Sequence, residues 1–381
     1  MVLVPLLGLG CVINIGAPVT KAPDDDDAVG TITGDTSGLT DDSGDVADSG
    51  GDTGDSGDAA FSVTIDPDAL TRLANRMAAT QNDDGSWDWQ RAYADALTPA
   101  ETGYQNITGI SALGLRPTLD RLGGNATWES TEGDAIAYFT GRFAALAANP
   151  ADDANVLSSP TWTLVARSLA RTPNAAVQAD AEGALNALID DRDAQSGTRA
   201  ETRMDGWIQR NIDRRNGNEG LIPWDLALLT EALFDMSAIS PGFADEHVEM
   251  CTALAGYLTT TFLPAWTADR TLWWGDLSIS MPLYVLADCP DTDPELLATL
   301  DAELALLVQA DGSVTNGATD DGPHQATAYG LLALKRRESP LAQAVQAHAE
   351  AQVGADGILS DDGSGLETYE IEGELLRAMA E

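Results

Sequence analysis

The sequence predicts an all-α protein, an (α/α)6 toroid of six helical hairpins that follows a disordered acidic linker. From residue 61 onward the apolar residues recur with a helical period, and alternating β-strand patterns are few. The helical segments come in pairs, an amphipathic one followed by one poor in charge. A turn motif also repeats between the members of several pairs. An inner ring of apolar helices inside an outer ring of amphipathic ones buries both kinds of surface.

Residues 1–23 form an apolar leader. Pro5, Gly8 and Gly10 interrupt the run, whereas a bilayer span needs about 20 uninterrupted apolar residues. The step Leu9-Gly10-Cys11 resembles a bacterial lipobox, in which the cysteine is lipidated and becomes the new N-terminus. This predicts an exported lipoprotein anchored to a membrane through Cys11, at the outer membrane, the cell surface or the periplasm. The alternative is a cytoplasmic protein with a ragged apolar N-terminus.

Residues 24–60 consist almost entirely of Asp, Gly, Ser, Thr and Ala, which leaves nothing to bury. We therefore expect a disordered, charge-extended tether that precedes a folded domain at 61–381. The chain carries 20 Lys and Arg against 61 Asp and Glu, for a net charge of −41. Such a field repels phosphate, so nucleic acid is excluded as a partner.

Asp-Pro and Ser-Pro pairs mark several helix starts. Asp66-Pro67 and Asp293-Pro294 each place a capping carboxyl before a proline that suits the first helical turn. Ser159-Pro160 and Ser339-Pro340 repeat the pattern. The helical segments that follow from the periodicity are 67–80, 103–116, 132–148, 160–171, 175–190, 223–236, 244–262, 276–288, 294–309, 323–337, 340–352 and 366–379.

Three turns share one pattern: a helix ends in Gln, an Asp-Gly step follows, and the next helix of the pair begins soon after. The copies are Gln81 to Trp87, Gln309 to Val314 and Gln352 to Leu359. Glycine supplies the left-handed conformation that ends a helix, and Asp can bind the backbone amides of the turn. The Gln-x-x-Asp-Gly-Ser-Trp form at 81–87 resembles the repeats of squalene cyclases and of protein prenyltransferase β-subunits, which implies a toroid.

The catalytic residues of those families do not match this chain. Terpene cyclases use an Asp-x-Asp-Asp motif, and its one match, Asp24 to Asp27, lies in the tether. Prenyltransferases bind zinc through an Asp-x-Cys pair and a histidine, but Asp288 and Cys289 are adjacent and the chain has three histidines. We therefore expect no isoprenoid chemistry, no metal and no cofactor.

The cysteines at 251 and 289 are expected to form a disulfide. If residues 244–262 and 276–288 pair as an antiparallel hairpin, Cys251 lies close to the point where Cys289 leaves the second helix. The alternative is two buried free thiols that act as small apolar side chains.

Turns that precede inner helices place their residues at one mouth of a toroid, where a ligand would bind. Carboxylates and a histidine there could act as general acid and base, and aromatic rings could stack on a sugar. Each also has a structural interpretation, as a helix cap or as packing. The catalytic candidates are Asp225, Asp276, His324 and Glu370, and the ligand-binding candidates are Tyr104, Asn106, Trp224, Trp274 and Tyr369.

An Arg-rich insertion at 192–222 stands out in this acidic chain. Arg210 and Arg214 are candidates for holding an anionic ligand such as an acidic polysaccharide. The alternative is an exposed loop that forms salt bridges with the acidic surface around it.

No motif compels a reaction. The primary prediction is a monomeric, lipid-anchored toroid that binds or presents a carbohydrate or small-molecule ligand outside the cell, without catalysis. The alternative is a polysaccharide-active hydrolase or lyase that uses the carboxylates of the mouth.

Overall fold

The structure is a computed structural model that describes residues 61–93, 95–98, 103, 105–152, 157–196, 202–208, 223–272, 274–318, 323–360 and 365–381. The apolar leader at 1–23, with Cys11, and the tether at 24–60 lie outside the described residues. Both therefore stay predictions.

The described chain is almost wholly helical, with one pair of short strands. Strands β1 (Gln90–Ala92) and β2 (Leu366–Thr368) are antiparallel, with Gln90 opposite Thr368. The helices are, in chain order, α1 (Pro67–Thr80), α2 (Gln105–Leu113), α3 (Leu115–Leu122), α4 (Ala126–Thr140), α5 (Phe143–Ala148), α6 (Ser159–Arg171), α7 (Ala175–Ser196), α8 (Pro223–Ile239), α9 (Ala244–Tyr257), α10 (Leu263–Ala268), α11 (Gly275–Leu286), α12 (Pro294–Leu307), α13 (Pro323–Arg336), α14 (Ala342–Ala351) and α15 (Tyr369–Ala380).

Six of these helices form a closed inner ring. Each packs against the inner helices that precede and follow it in the chain, and the last packs against the first. Helices α1, α4, α7, α9, α12 and α14 lie outside the ring, one before each inner helix. The prediction of an (α/α)6 toroid is therefore confirmed. The inner helices are α2, α6, α8, α11, α13 and α15.

Burial differs between the two rings. In the inner helix α11 all but one residue is buried, whereas the outer helix α12 buries only the stripe Leu296, Leu300, Leu304 and Leu307. An inner helix has protein on every side, while an outer helix needs an apolar stripe only where it faces the ring. Asp66 and Asp293 cap α1 and α12 as predicted, each accepting a hydrogen bond from the backbone two residues on.

The repeated turns hold neighbouring hairpins together. Gln81 Nε2 donates to the carbonyl of Gly85 in its own turn and to that of Thr131 in the next outer helix, at 2.9 and 2.8 Å. In the second copy, Asp311 Oδ1 accepts from Ser313 N at 3.0 Å, and Gly312 has φ of 90°. A Cβ on Gly312 would lie 2.5 Å from the Ala344 carbonyl oxygen of α14, so only glycine fits.

The ring closes where α15 meets α2. A Cβ on Gly373 would lie 2.4 Å from the Ser111 Cα, so the missing side chain lets the two backbones approach closely. Arg121 of α3 donates to the carbonyls of Ala380 and Glu381, which fixes the end of α15. Strands β1 and β2 pair the segments that precede α2 and α15, the two helices that close the ring.

Three predicted helix boundaries are wrong in detail. The segment 132–148 is two helices, α4 and α5, because the chain turns at residues 141 and 142. The segment 103–116 ends as α2 at Leu113 and resumes as α3. The segment 244–262 continues through a π-helical stretch, Leu258–Phe262, into α10. The π-helical stretch has one extra residue in its turn, which leaves the spacing of apolar residues almost unchanged. The hydrophobic periodicity of the sequence therefore could not reveal this stretch.

Cys251 and Cys289 are joined by a disulfide, with their Cα atoms 5.7 Å apart. It ties the outer helix α9 to the chain just beyond the end of α11. Within the described part of the chain, every helix is too short or too polar to cross a bilayer.

Candidate active site

The two ends of the inner ring carry different polar groups. The first turns of α8, α11, α13 and α15 meet at one end: the rings of Trp224 and Trp274 lie 6.3 Å apart, and Gln325 reaches Glu374. The last turns meet at the other end, where Arg377 contacts Glu231 and Tyr284. The inner helices therefore run parallel, and we call the end with their first turns the mouth and the other the far end.

Glu374 lies one turn below the start of α15, inside the ring. Tyr329 Oη and Gln325 Nε2 both donate to its Oε1, at 2.6 and 3.2 Å. Within the described part of the chain, its Oε2 makes no hydrogen bond. Both contacts come from neutral side chains, so nothing in direct contact compensates a negative charge on this carboxyl.

The environment of Glu374 favours its protonated form. Burial raises the pKa of Glu374 well above its usual range, and the nearby charge of Glu370 raises it further. Glu370 precedes Glu374 by one helical turn and is 1% exposed. A second carboxyl nearby in a buried site favours the protonated form of Glu374, which is the form that a general acid needs.

Three aromatic side chains pack against one another, and one of them, Tyr329, contacts Glu374. Trp224 packs edge-on against Tyr329, with ring centroids 5.8 Å apart, and tilted against Trp274. Trp274 has φ of 53° and ψ of 25°, a left-handed conformation that costs a side chain with a Cβ about 1–2 kcal/mol. Such strain is kept where packing over-determines it, and it is concentrated at functional sites. Tyr329 thus links this aromatic cluster to Glu374.

Asp276 has a different environment from the carboxyls of α15. Its Oδ1 accepts from Leu277 N at 2.9 Å and its Oδ2 from Asn316 N at 3.3 Å. Burial raises its pKa, and these amide hydrogen bonds partly offset the rise. Oδ2 therefore ties the loop around Asn316 to the start of α11, and Oδ1 accepts from an amide in the first turn of that same helix. A catalytic role for Asp276 stays a prediction.

The remaining predicted residues of the mouth take several positions. Asp225 is half-buried in the first turn of α8. Tyr369 is fully buried and its Oη donates to the Ala96 carbonyl at 3.4 Å, which fixes the start of α15. His324 faces a cleft beside the ring and contacts Ser360 through Nε2.

Several predicted residues cannot be placed. Tyr104, Arg210 and Arg214 lie outside the described residues, and Asn106 belongs to α2 but its side chain is not described. Two other arginines of the insertion are described. Arg203 pairs with Asp190 and Glu246 at 2.9 and 2.7 Å, and Arg192 pairs with Asp191. These contacts favour the salt-bridged interpretation for the start of the insertion.

The far end holds a network of buried ion pairs that sequence reasoning missed. Arg377 donates to Glu231 and Glu381, and Arg167 donates to the same two carboxylates and to Asp235. Glu381 Oε2 also accepts from Tyr284 Oη at 2.9 Å. The available signal was a set of charged residues, Glu370 to Arg377, in a helix that the pairing pattern assigned to the inner ring.

Among the described residues, one group brings three metal-ligand atoms within 4.8 Å of one another: His247, Cys251 and Cys289. His247 Nε2 lies 3.3 Å from Cys251 Sγ. The disulfide uses both sulfur atoms, so this group is not a metal site while the bond is intact.

The comparisons identify the fold. No family model matches the chain, and no curated protein matches it. The chain is similar to the solved structure of the GH76A α-1,6-mannanase from Salegentibacter sp. HEL1_6, with a TM-score of 0.52 and 10% sequence identity over 82% of this chain and 98% of that one. An inactive variant of that enzyme, with two neighbouring aspartates changed to asparagine, was solved with α-1,6-mannotriose and matches with a TM-score of 0.52, 9% identity and the same coverage.

These findings correct one prediction and bear on a second. The prediction of a binding or presentation module without catalysis is wrong, because the structures that the toroid matches are those of glycoside hydrolases. The toroid that the turn motif implied is present, but the comparisons give no specific support to a cyclase-like or prenyltransferase-like assignment.

Proposed function

We propose that this protein is a glycoside hydrolase that cleaves an α-linked mannan or a closely related polysaccharide, with Glu374 as its general acid. The observation that carries the proposal is the buried carboxyl pair of α15, which lies inside the ring with a raised pKa at Glu374. The mannanase that shares the fold supports the substrate class.

Glu374 suits the role of acid because its two oxygens have different partners. Tyr329 and Gln325 orient Oε1, which leaves Oε2 to carry the proton and to donate it to the glycosidic oxygen. A carboxylic acid kept neutral by burial can protonate a leaving group near neutral pH. Activity is therefore expected to fall as the pH rises through the raised pKa of Glu374.

Glu370 is the second carboxyl, acting as nucleophile or base. Residues four apart on a helix have Cβ atoms about 5–6 Å apart. Neighbouring side chains on one helix can bring their carboxyl groups to about 5–5.5 Å, the separation in retaining glycosidases, whereas inverting ones need about 6.5–9.5 Å. We expect the released sugar to keep its anomeric configuration, which proton NMR of the first turnovers measures.

The test is hydrolysis of α-1,6-mannan, followed by release of reducing ends. Glu374→Gln and Glu370→Gln are each expected to lower kcat at least 100-fold, because each removes a proton-transfer or nucleophilic group and keeps the shape. Glu295→Gln is the matched control: it makes the same change in the exposed first turn of the outer helix α12, and its activity should equal that of the wild type.

Two results would contradict the proposal. One is a wild-type protein that releases no reducing ends from α-1,6-mannan or other α-mannans. The other is an Asp276→Asn variant that loses activity while Glu374→Gln keeps it, which would move the acid to α11. Thermal unfolding of each variant separates a loss of chemistry from a loss of fold.

We also propose that the enzyme is held at a bacterial membrane surface through lipid on Cys11, which rests on the sequence alone. Expression of the full chain and of Cys11→Ser tests it. The wild type should sediment with membranes and carry the mass of a lipid-modified N-terminus, while the variant should be released. Equal sedimentation of both chains would contradict the anchor.

A further inference from the structure

Three side chains that could bind a metal ion meet at the far end of the ring, between α9 and the end of α11. His247 and Cys251 lie one turn apart on α9, and Cys289 follows the last residue of α11. One ligand atom from each residue lies within 4.8 Å of the other two, and all three residues are buried. Two sulfur atoms and an imidazole nitrogen are the ligand set of a Cys2His zinc site.

The positions of these atoms suit zinc once the disulfide is open. In a tetrahedral site, bonds of about 2.3 Å to sulfur and about 2.0–2.1 Å to nitrogen place the ligand atoms roughly 3.5–3.8 Å apart. His247 Nε2 lies 3.3 Å from Cys251 Sγ, close to that separation. The Cα atoms of Cys251 and Cys289 are 5.7 Å apart, so two free sulfur atoms reach about 3.8 Å by rotation of the side chains alone. The site is therefore open to the dithiol form of the protein and closed to the disulfide form.

The balance of charges selects the metal. Two thiolates cancel the charge of a Zn²⁺ ion and the imidazole ligand is neutral, so the bound group has no net charge, as a buried position requires. The charged residues beside it are already paired: Arg167 binds Glu231, and Arg336 binds Asp288. Mg²⁺ and Ca²⁺ prefer oxygen ligands and do not suit two sulfur atoms.

A small cavity beside His247 provides the fourth ligand. Its lining includes His247, Tyr284 and Asp288, and it leaves room of about 40 Å³, which is enough for a water molecule. Asp288 is engaged with Arg336, so water takes the fourth position. Phe234 of α8 packs against the imidazole of His247, with ring centroids 5.3 Å apart, and holds that ring in place.

We propose that reduction of the disulfide converts His247, Cys251 and Cys289 into a zinc-binding site. A dithiol reductant supplies the two electrons. One of its thiolates attacks Cys289, the more exposed cysteine at 8% against 3%, the S–S bond breaks, and Cys251 leaves as a thiolate beside His247 Nε2. The second thiolate of the reductant then displaces Cys289 and leaves as a cyclic disulfide. The two protons of the dithiol pass to solvent, and Zn²⁺ binds both thiolates and Nε2.

The bound zinc replaces the link that reduction removes. The disulfide ties α9 to the chain beyond α11, and a zinc ion held by the same two cysteines keeps that tie in a reducing environment. The site is independent of the proposed hydrolysis, because it lies at the far end and Glu374 lies at the mouth.

The experiment compares the reduced and the disulfide forms of the full chain. All proteins carry Cys11→Ser, because the chain has three cysteines and only two should contribute sulfur. The reduced form is prepared with dithiothreitol, which is then removed without oxygen, and Zn²⁺ is titrated against a chromophoric chelator. The reduced form is expected to bind one Zn²⁺ per chain, at least roughly 100-fold more tightly than the disulfide form. Co²⁺ in place of Zn²⁺ should show the charge-transfer absorption of a metal-bound thiolate.

One variant tests the nitrogen ligand. His247→Ala removes it and keeps both cysteines, and it is expected to weaken zinc binding by the reduced form at least about tenfold. His348→Ala is the matched control, because it removes a histidine from another outer helix, α14, and should bind zinc like the parent protein. Zinc should raise the Tm of the reduced parent protein and of reduced His348→Ala, but not that of reduced His247→Ala at the same concentration. Thermal unfolding of the three disulfide forms checks that each variant folds.

Two results would overturn the proposal. One is a reduced protein that binds zinc no more tightly than the disulfide form. The other is equal zinc affinity in reduced His247→Ala and reduced His348→Ala, which would show that the cysteines bind the metal without the histidine. If reduction unfolds the chain, zinc should restore the helical circular dichroism of the reduced parent protein, and a signal that zinc does not restore would also contradict the site.

Discussion

The mouth and the far end of the inner ring both bury carboxyl groups, but those of the far end are ion-paired with arginine and Glu374 at the mouth is not. At the far end, Glu231 and Glu381 each accept hydrogen bonds from both Arg167 and Arg377. At the mouth, Glu374 contacts only neutral donors, and the charge of Glu370 outweighs that of Arg377 in its effect on the pKa of Glu374. One helix, α15, contributes to both ends.

This difference distinguishes buried carboxyl groups that stabilise the fold from buried carboxyl groups that are suited to proton transfer. A buried carboxylate that is matched by arginine holds helices together and has no proton to give. A buried carboxyl left without a cation costs stability, and it is retained only where something else needs it. The same comparison explains the opposite directions of two pKa values: that of Glu381 is lowered to about 2 by Arg377 and Arg167, despite its burial, and that of Glu374 is raised.

Removing the central arginine of the far end should have the largest effect on stability. Arg377→Met leaves Glu231 and Glu381 short of a partner in a buried site, and we expect the free energy of unfolding to fall by about 3–5 kcal/mol. Urea denaturation at pH 7 measures it.

A second variant tests the reason for that loss. Arg377→Met combined with Glu231→Met removes an opposite charge as well and should recover at least half of the lost stability. If the double variant is no more stable than Arg377→Met alone, the loss comes from packing and the far end is not held by charge.

The next effect is the acid sensitivity of the far end. The pKa of Glu381 is lowered in the folded state, so its contribution is present above the unfolded pKa of about 4.5 and is lost as the pH falls through about 2. Each pKa unit corresponds to about 1.4 kcal/mol, so Glu381→Gln should cost about 3 kcal/mol at pH 7. The two proteins should converge in stability near pH 2, as measured by urea unfolding across this range. Parallel curves would show that Glu381 is not ionised in its pairs.

The sequence predicted most of the helices and turns of the toroid, but few of the contacts between polar side chains inside the ring. Helix pairing, the Gln and Asp-Gly turns and the caps at Asp66 and Asp293 are local features, and each has a residue signature. Glu370 was found because it begins an inner helix at the mouth. Glu374 was not, because a periodicity analysis treats every charge as solvent-exposed, and only the packed ring shows that this one faces Tyr329.

The smallest predicted effect gives the sharpest test of the mouth. Glu374 has a raised pKa in the folded state, so the folded protein holds a proton that the unfolded chain releases, and stability falls as the pH rises above the unfolded pKa of about 4.5. Glu374→Gln is always neutral and should escape this loss. We expect Glu374→Gln to be more stable than the wild type at pH 8 by about 1 kcal/mol or more, because one pKa unit corresponds to about 1.4 kcal/mol.

The same substitution is expected to remove activity, and this combination distinguishes the two ends. Replacing a structural carboxylate such as Glu381 with an amide should lower the stability of the protein. Replacing a carboxyl that serves catalysis should raise the stability and lower kcat. Urea denaturation at pH 5 and pH 8, set beside kcat for the same preparations, gives both quantities. If Glu374→Gln is less stable than the wild type at pH 8, Glu374 has a structural role, like the carboxylates of the far end.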